Sequence, residues 1–149
     1  MRMAVRIAGT GAAMAMLILA GCREKTPDAP LAIEPGVYYA GAGMDGHEVV
    51  LPVGKTLRVE LETIPTAGYV WQVTGQPDML ALTDEATRPT DPEVQNQPGF
   101  TGGSHYMAFD FTAVTPGTGT LELTEGRPWE LEAGEPPEGT FSLTITVTD

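Results

Sequence analysis

Apolar residues recur at every second position over most of this chain, and that period dictates extended backbone. Leu57, Val59 and Leu61 alternate with Arg58, Glu60 and Glu62; Met107, Phe109 and Phe111 alternate with Ala108 and Asp110. Leu121 and Leu123 are set against Thr120, Glu122 and Thr124, and Phe141, Leu143, Ile145 and Val147 against Ser142, Thr144, Thr146 and Thr148. A strand sends successive side chains to opposite faces, so each of these segments has one dry and one wet side. The many threonines favour strand over helix as well. Weaker strands are expected at His47 to Leu51, Val70 to Val73 and Met79 to Thr83. That makes about seven strands and almost no helix.

Seven short strands with one apolar face each must cover those faces with one another. The expected fold is therefore all-β, an immunoglobulin-like antiparallel β-sandwich. Turns fall at Pro52-Val53-Gly54, at Gly75 to Pro77 and at Pro116-Gly117. Trp71, on a strand beside Val73, reads as core. The stretch from Asp84 to Gly103 is too long for a simple turn. Its segment Asp84 to Gln97 reads equally well as ordered chain or as a disordered acidic insertion, since its composition buries little.

If successive strands reverse direction, connections alternate between the two ends of a sandwich. Three segments of unusual composition then emerge together: Thr63 to Tyr69, the stretch ending in Phe100 to Ser104, and Glu125 to Gly139. That end is the first candidate for binding. In the first segment Pro65, Thr66, Ala67, Gly68 and Tyr69 combine a fixed φ with a glycine free to take positive φ, which makes a stiff, protruding turn. In the second, Gly102 and Gly103 lack side chains and admit another backbone closely. In the third, Arg127, Pro128 and Trp129 place a large aromatic beside a rigid proline. Trp129 either protrudes as a binding hot spot or packs back over the sandwich with Arg127 stacked on it.

The N-terminus follows a different logic. Arg2 and Arg6 precede an apolar run, Ala12 to Ala20, which is shorter than the roughly 20 helical residues that span a bilayer. Leu19-Ala20-Gly21 then leads into Cys22, the only cysteine. This LAGC sequence resembles a bacterial lipoprotein signal, which implies cleavage of residues 1–21 and acylation of the Cys22 thiol, leaving none for a disulfide or for cysteine catalysis. Residues 22–40, rich in proline at Pro27, Pro30 and Pro35, read as a tether, and 41–149 as the domain. The implied location is the bacterial cell envelope, with a membrane contacted through lipid on Cys22. Arg23 stands where aspartate would signal inner-membrane retention in enterobacteria, which favours the outer membrane.

Arg2 and Arg6 are two of the eight basic residues, and all twenty acidic residues lie beyond them, so the remainder carries a formal charge of −14. Nucleic acid is excluded as a partner on that charge. No catalytic constellation emerges. His47 and His105 lack metal-ligand spacing, and Ser104 next to His105 on a strand points the opposite way. No enzyme, metal or cofactor is called for.

Taken together and in order, PTAGYVW, TGG and RPWE resemble the loop motifs of chagasin-like inhibitors of papain-family cysteine peptidases. The family pattern is NPTTGY/F, GxGG and RPW/F, and the likeness covers roughly residues 45 to 149. Ile64 stands where the family has Asn, Ala67 where it has the second Thr, and Phe100 where it has the first Gly. What the resemblance implies is a reversible inhibitor of a papain-family cysteine peptidase from the host or from its own cell. Three loops would block the cleft: Pro65, Thr66, Ala67, Gly68 and Tyr69 enter it with Thr66 nearest the nucleophile, Gly102 and Gly103 offer main-chain hydrogen bonds on one side, and Arg127, Pro128 and Trp129 brace the other. The alternative is an envelope adhesion or scaffold lipoprotein that binds a protein or glycan through the same loop end, with Trp129 as its platform.

Overall fold

The computed structural model describes residues 34–149. The signal, Cys22 and the tether up to residue 33 lie outside the described residues. Eight strands build two four-stranded sheets. The first sheet has the order β1 (Val37–Ala40), β3 (Thr56–Thr63), β6 (His105–Ala113), β5 (Leu80–Pro89). The second has the order β2 (Glu48–Pro52), β8 (Gly139–Thr148), β7 (Gly117–Gly126), β4 (Val70–Gly75). Two short helices, α1 (Pro92–Gln95) and α2 (Pro128–Glu132), sit in the β5–β6 and β7–β8 connections.

The alternating residues occupy the inner faces. Leu57, Val59, Leu61, Phe109, Phe111, Leu121, Leu123, Phe141, Leu143, Ile145 and Val147 are all buried between the sheets. Trp71 packs against this core from the edge strand β4 without being fully enclosed, and its indole N–H donates to the Glu62 carbonyl at 2.9 Å. An indole at a sheet edge keeps its apolar body dry while its one donor finds a carbonyl.

Two expectations need correction, and one question left open is answered. First, residues 37–40 are not tether. The run Val37-Tyr38-Tyr39-Ala40 is β1, with Val37 opposite Thr56 and Ala40, fully buried, opposite Val59. Aromatic and branched residues suit a strand, but four residues are too few to register a period against the prolines before them. Second, the sandwich is not purely antiparallel: β1 pairs parallel with β3 and β2 with β8, while the other four pairings are antiparallel. The chain passes from one sheet to the other after β1 and back after β2, so each of these edge strands lies beside a strand remote in sequence. The open question was Asp84 to Gln97, which is ordered. β5 continues through a bulge between Leu82 and Asp84 and pairs with β6 as far as Pro89 opposite His105. Asp91 then caps α1, accepting from the Val94 N–H at 3.3 Å, with Pro92 in the first turn.

The outer face of the first sheet explains how so polar a strand as β5 stays in place. Arg88 on β5 pairs with Glu60 on β3, a residue only 4% exposed, and its guanidinium lies 4.6 Å from the centre of the Tyr106 ring. Arg58 grips Asp110 in a bidentate pair at 2.8 and 2.9 Å. Burial, reinforced by the Glu60 charge, pushes the Tyr39 phenol well above its ordinary range. Ion pairs thus cross this face from strand to strand, β5 to β3 and β3 to β6.

The register also orients the molecule. β3 runs from Thr56 to Thr63, about 25 Å at the usual rise per residue. Because β1 is parallel to it, the chain enters the domain at the Thr56 pole. The C-terminus lies there too: Val53 N–H donates to the Thr148 carbonyl at 2.8 Å. The three unusual loops leave from the opposite pole.

Candidate functional site

The β3–β4 connection, residues 64–69, forms the centre of that pole. Pro65–Ala67 is a single 3-10 turn, closed by Gly68 in the left-handed region at φ 91°. The Ile64 carbonyl accepts from Ala67 N–H at 3.0 Å and from Tyr69 N–H at 3.3 Å, and the Pro65 carbonyl accepts from Gly68 N–H at 2.9 Å. Below it, the Thr63 hydroxyl contacts the Tyr69 carbonyl at 3.0 Å and Glu125 Oε1 at 2.6 Å, which clasps both ends of the loop to β7. An asparagine before the proline is therefore not needed to close this turn; main-chain bonds and Thr63 do it.

On one side stands the β7–β8 connection. Arg127 precedes α2, whose first residue is Pro128, a position where the missing N–H costs nothing. Arg127 Nε donates to the Ala67 carbonyl at 2.9 Å, Nη1 to Glu130 Oε1 at 2.9 Å, and the guanidinium lies 4.6 Å from the centre of the Tyr69 ring. The hydrogen bond to Glu130 raises the pKa of this already permanent cation. Trp129 is 59% exposed, yet its ring edge rests on Gly68: a Cβ at Gly68 would overlap Trp129 Cη2 and stand 3.2 Å from Cζ2. The two readings of Trp129 thus meet in one arrangement, an indole seated on the central loop with most of its surface outward. Arg127 stacks on Tyr69, not on the indole.

On the other side stands the β5–β6 connection. Gly102 and Gly103 both have φ 92°. A Cβ built on Gly102 would come within 3.9 Å of Thr66 Oγ1, and one on Gly103 would strike Gln95 Nε2. Gln95 braces this loop from inside, donating to the Ser104 carbonyl at 2.8 Å and accepting from Asp91 N–H at 2.6 Å. Thr90 adds a bond from its hydroxyl to the same Ser104 carbonyl at 2.9 Å.

The structure thus brings all ten loop residues singled out above to one pole: Pro65 to Tyr69 in the middle, Gly102 and Gly103 beside Thr66, and Arg127 to Trp129 against Ala67, Gly68 and Tyr69. Sequence reasoning passed over Glu130, Gln95 and the Thr63–Glu125 clasp. Glu130 carried a signal, three residues beyond Arg127 and next to the proline that starts a helix. Gln95 and Glu125 carried none, because their partners are distant in sequence or are backbone atoms.

The fold and this pole define a class of protein: a two-sheet sandwich whose three loops meet in one stiff edge. Residues 50–145 match the family model described as chagasin family peptidase inhibitor I42. The chain belongs to that family; it is a peptidase inhibitor and not an enzyme. Among solved structures it is similar to a cysteine protease inhibitor of Entamoeba histolytica, with 20% identity, TM-score 0.64, and 75% of this chain and 96% of that one covered. It is also similar to amebosin, with 23% identity, TM-score 0.56, and 77% and 100% covered. At these identities the likeness bears on the fold. No curated protein sequence matches the chain.

Proposed function

We propose that the chain reversibly inhibits papain-like cysteine peptidases by inserting the 64–69 loop into the active-site cleft, with residues 102–103 and 127–129 against the two walls. The observation that carries this reading is the seating of three loops on one another: Arg127 on the Ala67 carbonyl, Trp129 on Gly68, and Gly102 beside Thr66. Loops held in the binding geometry before contact lose little entropy on docking.

The same bonds explain why such a loop would block a peptidase without being cut. Hydrolysis requires the scissile carbonyl to enter an oxyanion hole in attack geometry. In this loop the carbonyls of Ile64, Pro65, Ala67 and Tyr69 already accept hydrogen bonds within the domain. Thr66, at the middle of the 3-10 turn, would face the catalytic thiol with its peptide group held in a turn instead of an extended strand. Gly102 and Gly103 would offer main-chain groups to one wall and Trp129 its exposed indole face to the other.

For location we propose a lipid anchor on Cys22 in the bacterial envelope, in the outer membrane for preference. What supports it beyond the LAGC sequence is the domain's polarity: the chain enters at the Thr56 pole, so an anchor upstream would leave the inhibitory pole facing away from the lipid. Metabolic labelling with a fatty-acid analogue tests this, with label expected on the chain and lost in Cys22→Ala. The inhibitory reading is tested with papain and the chain lacking residues 1–22. Competitive, reversible inhibition is expected, and full activity of several papain-like enzymes in excess inhibitor would refute it.

A further inference from the structure

We propose that Glu125 is a positioning residue of the inhibitory edge: through the Thr63 hydroxyl its carboxyl decides whether the Tyr69 carbonyl is held, and the hold is complete when that carboxyl carries a proton. The inference rests on the inhibitory reading above and adds to it a dependence of inhibition on pH.

Glu125 stands where the core ends. On β7, Leu121, Leu123 and Glu125 fall at alternate positions, and the first two are buried between the sheets. Glu125 lies opposite Trp71 on β4 and opposite Gly139 on β8. A Cβ at Gly139 would stand 3.2 Å from Glu125 Oε2 and 3.2 Å from Trp71 Cη2, so the glycine leaves the room that the carboxyl and the indole share. From there Glu125 Oε1 reaches across to β3, 2.6 Å from the hydroxyl oxygen of Thr63, a residue only 2% exposed.

Counting protons makes this contact more than a brace. The Thr63 oxygen lies 2.6 Å from Glu125 Oε1 and 3.0 Å from the Tyr69 carbonyl, and a hydroxyl has one proton to donate. An ionised carboxylate only accepts. With Glu125 ionised, two acceptors compete for that proton, and the charged and closer one draws it away from Tyr69. A protonated Glu125 donates instead: its O–H goes to Thr63, the Thr63 proton goes to the Tyr69 carbonyl, and both contacts are hydrogen bonds at once. The consequence passes on through Tyr69, whose ring centre lies 4.6 Å from the Arg127 guanidinium, while Arg127 Nε holds the Ala67 carbonyl. Protonation therefore stiffens the exit of the 64–69 loop, and a stiffer loop loses less entropy on docking.

The titratable and charged groups nearest Glu125 in register or sequence are few. His105 on β6 lies opposite Thr63, the Glu138 N–H donates to the Glu125 carbonyl at 2.9 Å, and Arg127 follows two residues on. Glu62 precedes Thr63 and falls on the other face of β3. β4 and β8 carry no charged residue.

The test follows the full chain in detergent solution between about pH 4 and pH 8, by NMR and against papain. The Val70 amide nitrogen, bonded to the Tyr69 carbonyl carbon, should shift with the same midpoint as the Glu125 carboxyl carbon. In Glu125→Gln, whose amide is a permanent donor to Thr63, that shift should be absent. Ki of the unaltered chain should exceed that of Glu125→Gln roughly fivefold near pH 7.5, as for one hydrogen bond, and the two should converge near pH 4. Taking the ratio at each pH removes the titration of papain itself, and His105→Gln should leave the step in place. The NMR titration of the unaltered chain decides even where Glu125→Gln folds poorly. A Val70 resonance that ignores Glu125, a step lost in His105→Gln, or a Ki ratio constant with pH would each overturn the proposal and leave the inhibitory reading intact. Absence of inhibition by the unaltered chain at every pH would overturn both.

Discussion

The two loops that flank the central 64–69 loop are built on opposite plans. The β7–β8 loop grips it: a guanidinium bonded to the Ala67 carbonyl and stacked on Tyr69, and an indole resting on Gly68. The β5–β6 loop braces itself instead, through Gln95, Thr90 and Ser104, and meets the centre at the closely approaching Gly102. One flank therefore fixes the shape of the central loop, and the other holds its own shape and leaves the central loop's bonds untouched. Of the three departures from the family pattern, Phe100 lies on the self-braced flank, while Ile64 and Ala67 belong to the central loop itself.

The largest test of this contrast is Gly68→Ala. It forces a side chain into the left-handed region and against Trp129, so stability should fall by about 1–3 kcal/mol in urea unfolding. Since it disturbs two loops at once, Ki for papain should rise roughly 100-fold, more than for any change on the other flank. Trp129→Ala comes next. The indole is mostly exposed, so stability should hardly change, while Ki should rise roughly 30-fold, as for an interface hot spot of about 2 kcal/mol. A large loss of stability in that variant would move Trp129 from the interface to the fold.

Arg127→Ala should raise Ki roughly tenfold. A double-mutant cycle with Tyr69→Ala should give a coupling of about 1 kcal/mol, because the two groups touch. Additive losses would mean that the grip on the central loop is unimportant. The smallest effect is expected for Gln95→Ala: about 1 kcal/mol of stability and faster amide exchange over residues 91–104, with Ki changed roughly threefold or less. That variant should combine additively with Arg127→Ala, as befits a flank that braces itself.

The strands of the core were legible because burial on one face imposes a period of two, and Leu57 to Leu61 or Phe141 to Val147 display it in full. β1 was not, since Val37 to Ala40 is held by its neighbour's register instead of by a pattern of its own. β5 was legible only as far as Thr83, and its continuation stayed open, for a related reason. Beyond its bulge its side chains meet partners such as Glu60 and Tyr106 from other strands, and no one-dimensional period records an ion pair across a sheet. At the candidate site, Pro65, Gly68, Gly102, Gly103 and Trp129 were conspicuous because proline, glycine and tryptophan announce unusual backbone or exposed surface. The brace of Gln95 and the clasp of Thr63 with Glu125 were invisible, because ordinary residue types acquire those roles only when distant segments meet.

The claim on which the rest depends is that this edge covers a peptidase's catalytic centre, and the reactivity of that centre reports it directly. The measurement is the rate at which iodoacetamide alkylates the catalytic thiol of papain in the presence of saturating inhibitor. If Thr66 and its neighbours fill the cleft, alkylation should slow by about 100-fold or more and recover in Gly68→Ala. Alkylation at the rate of the free enzyme, whether or not activity toward large substrates is lost, would contradict the account.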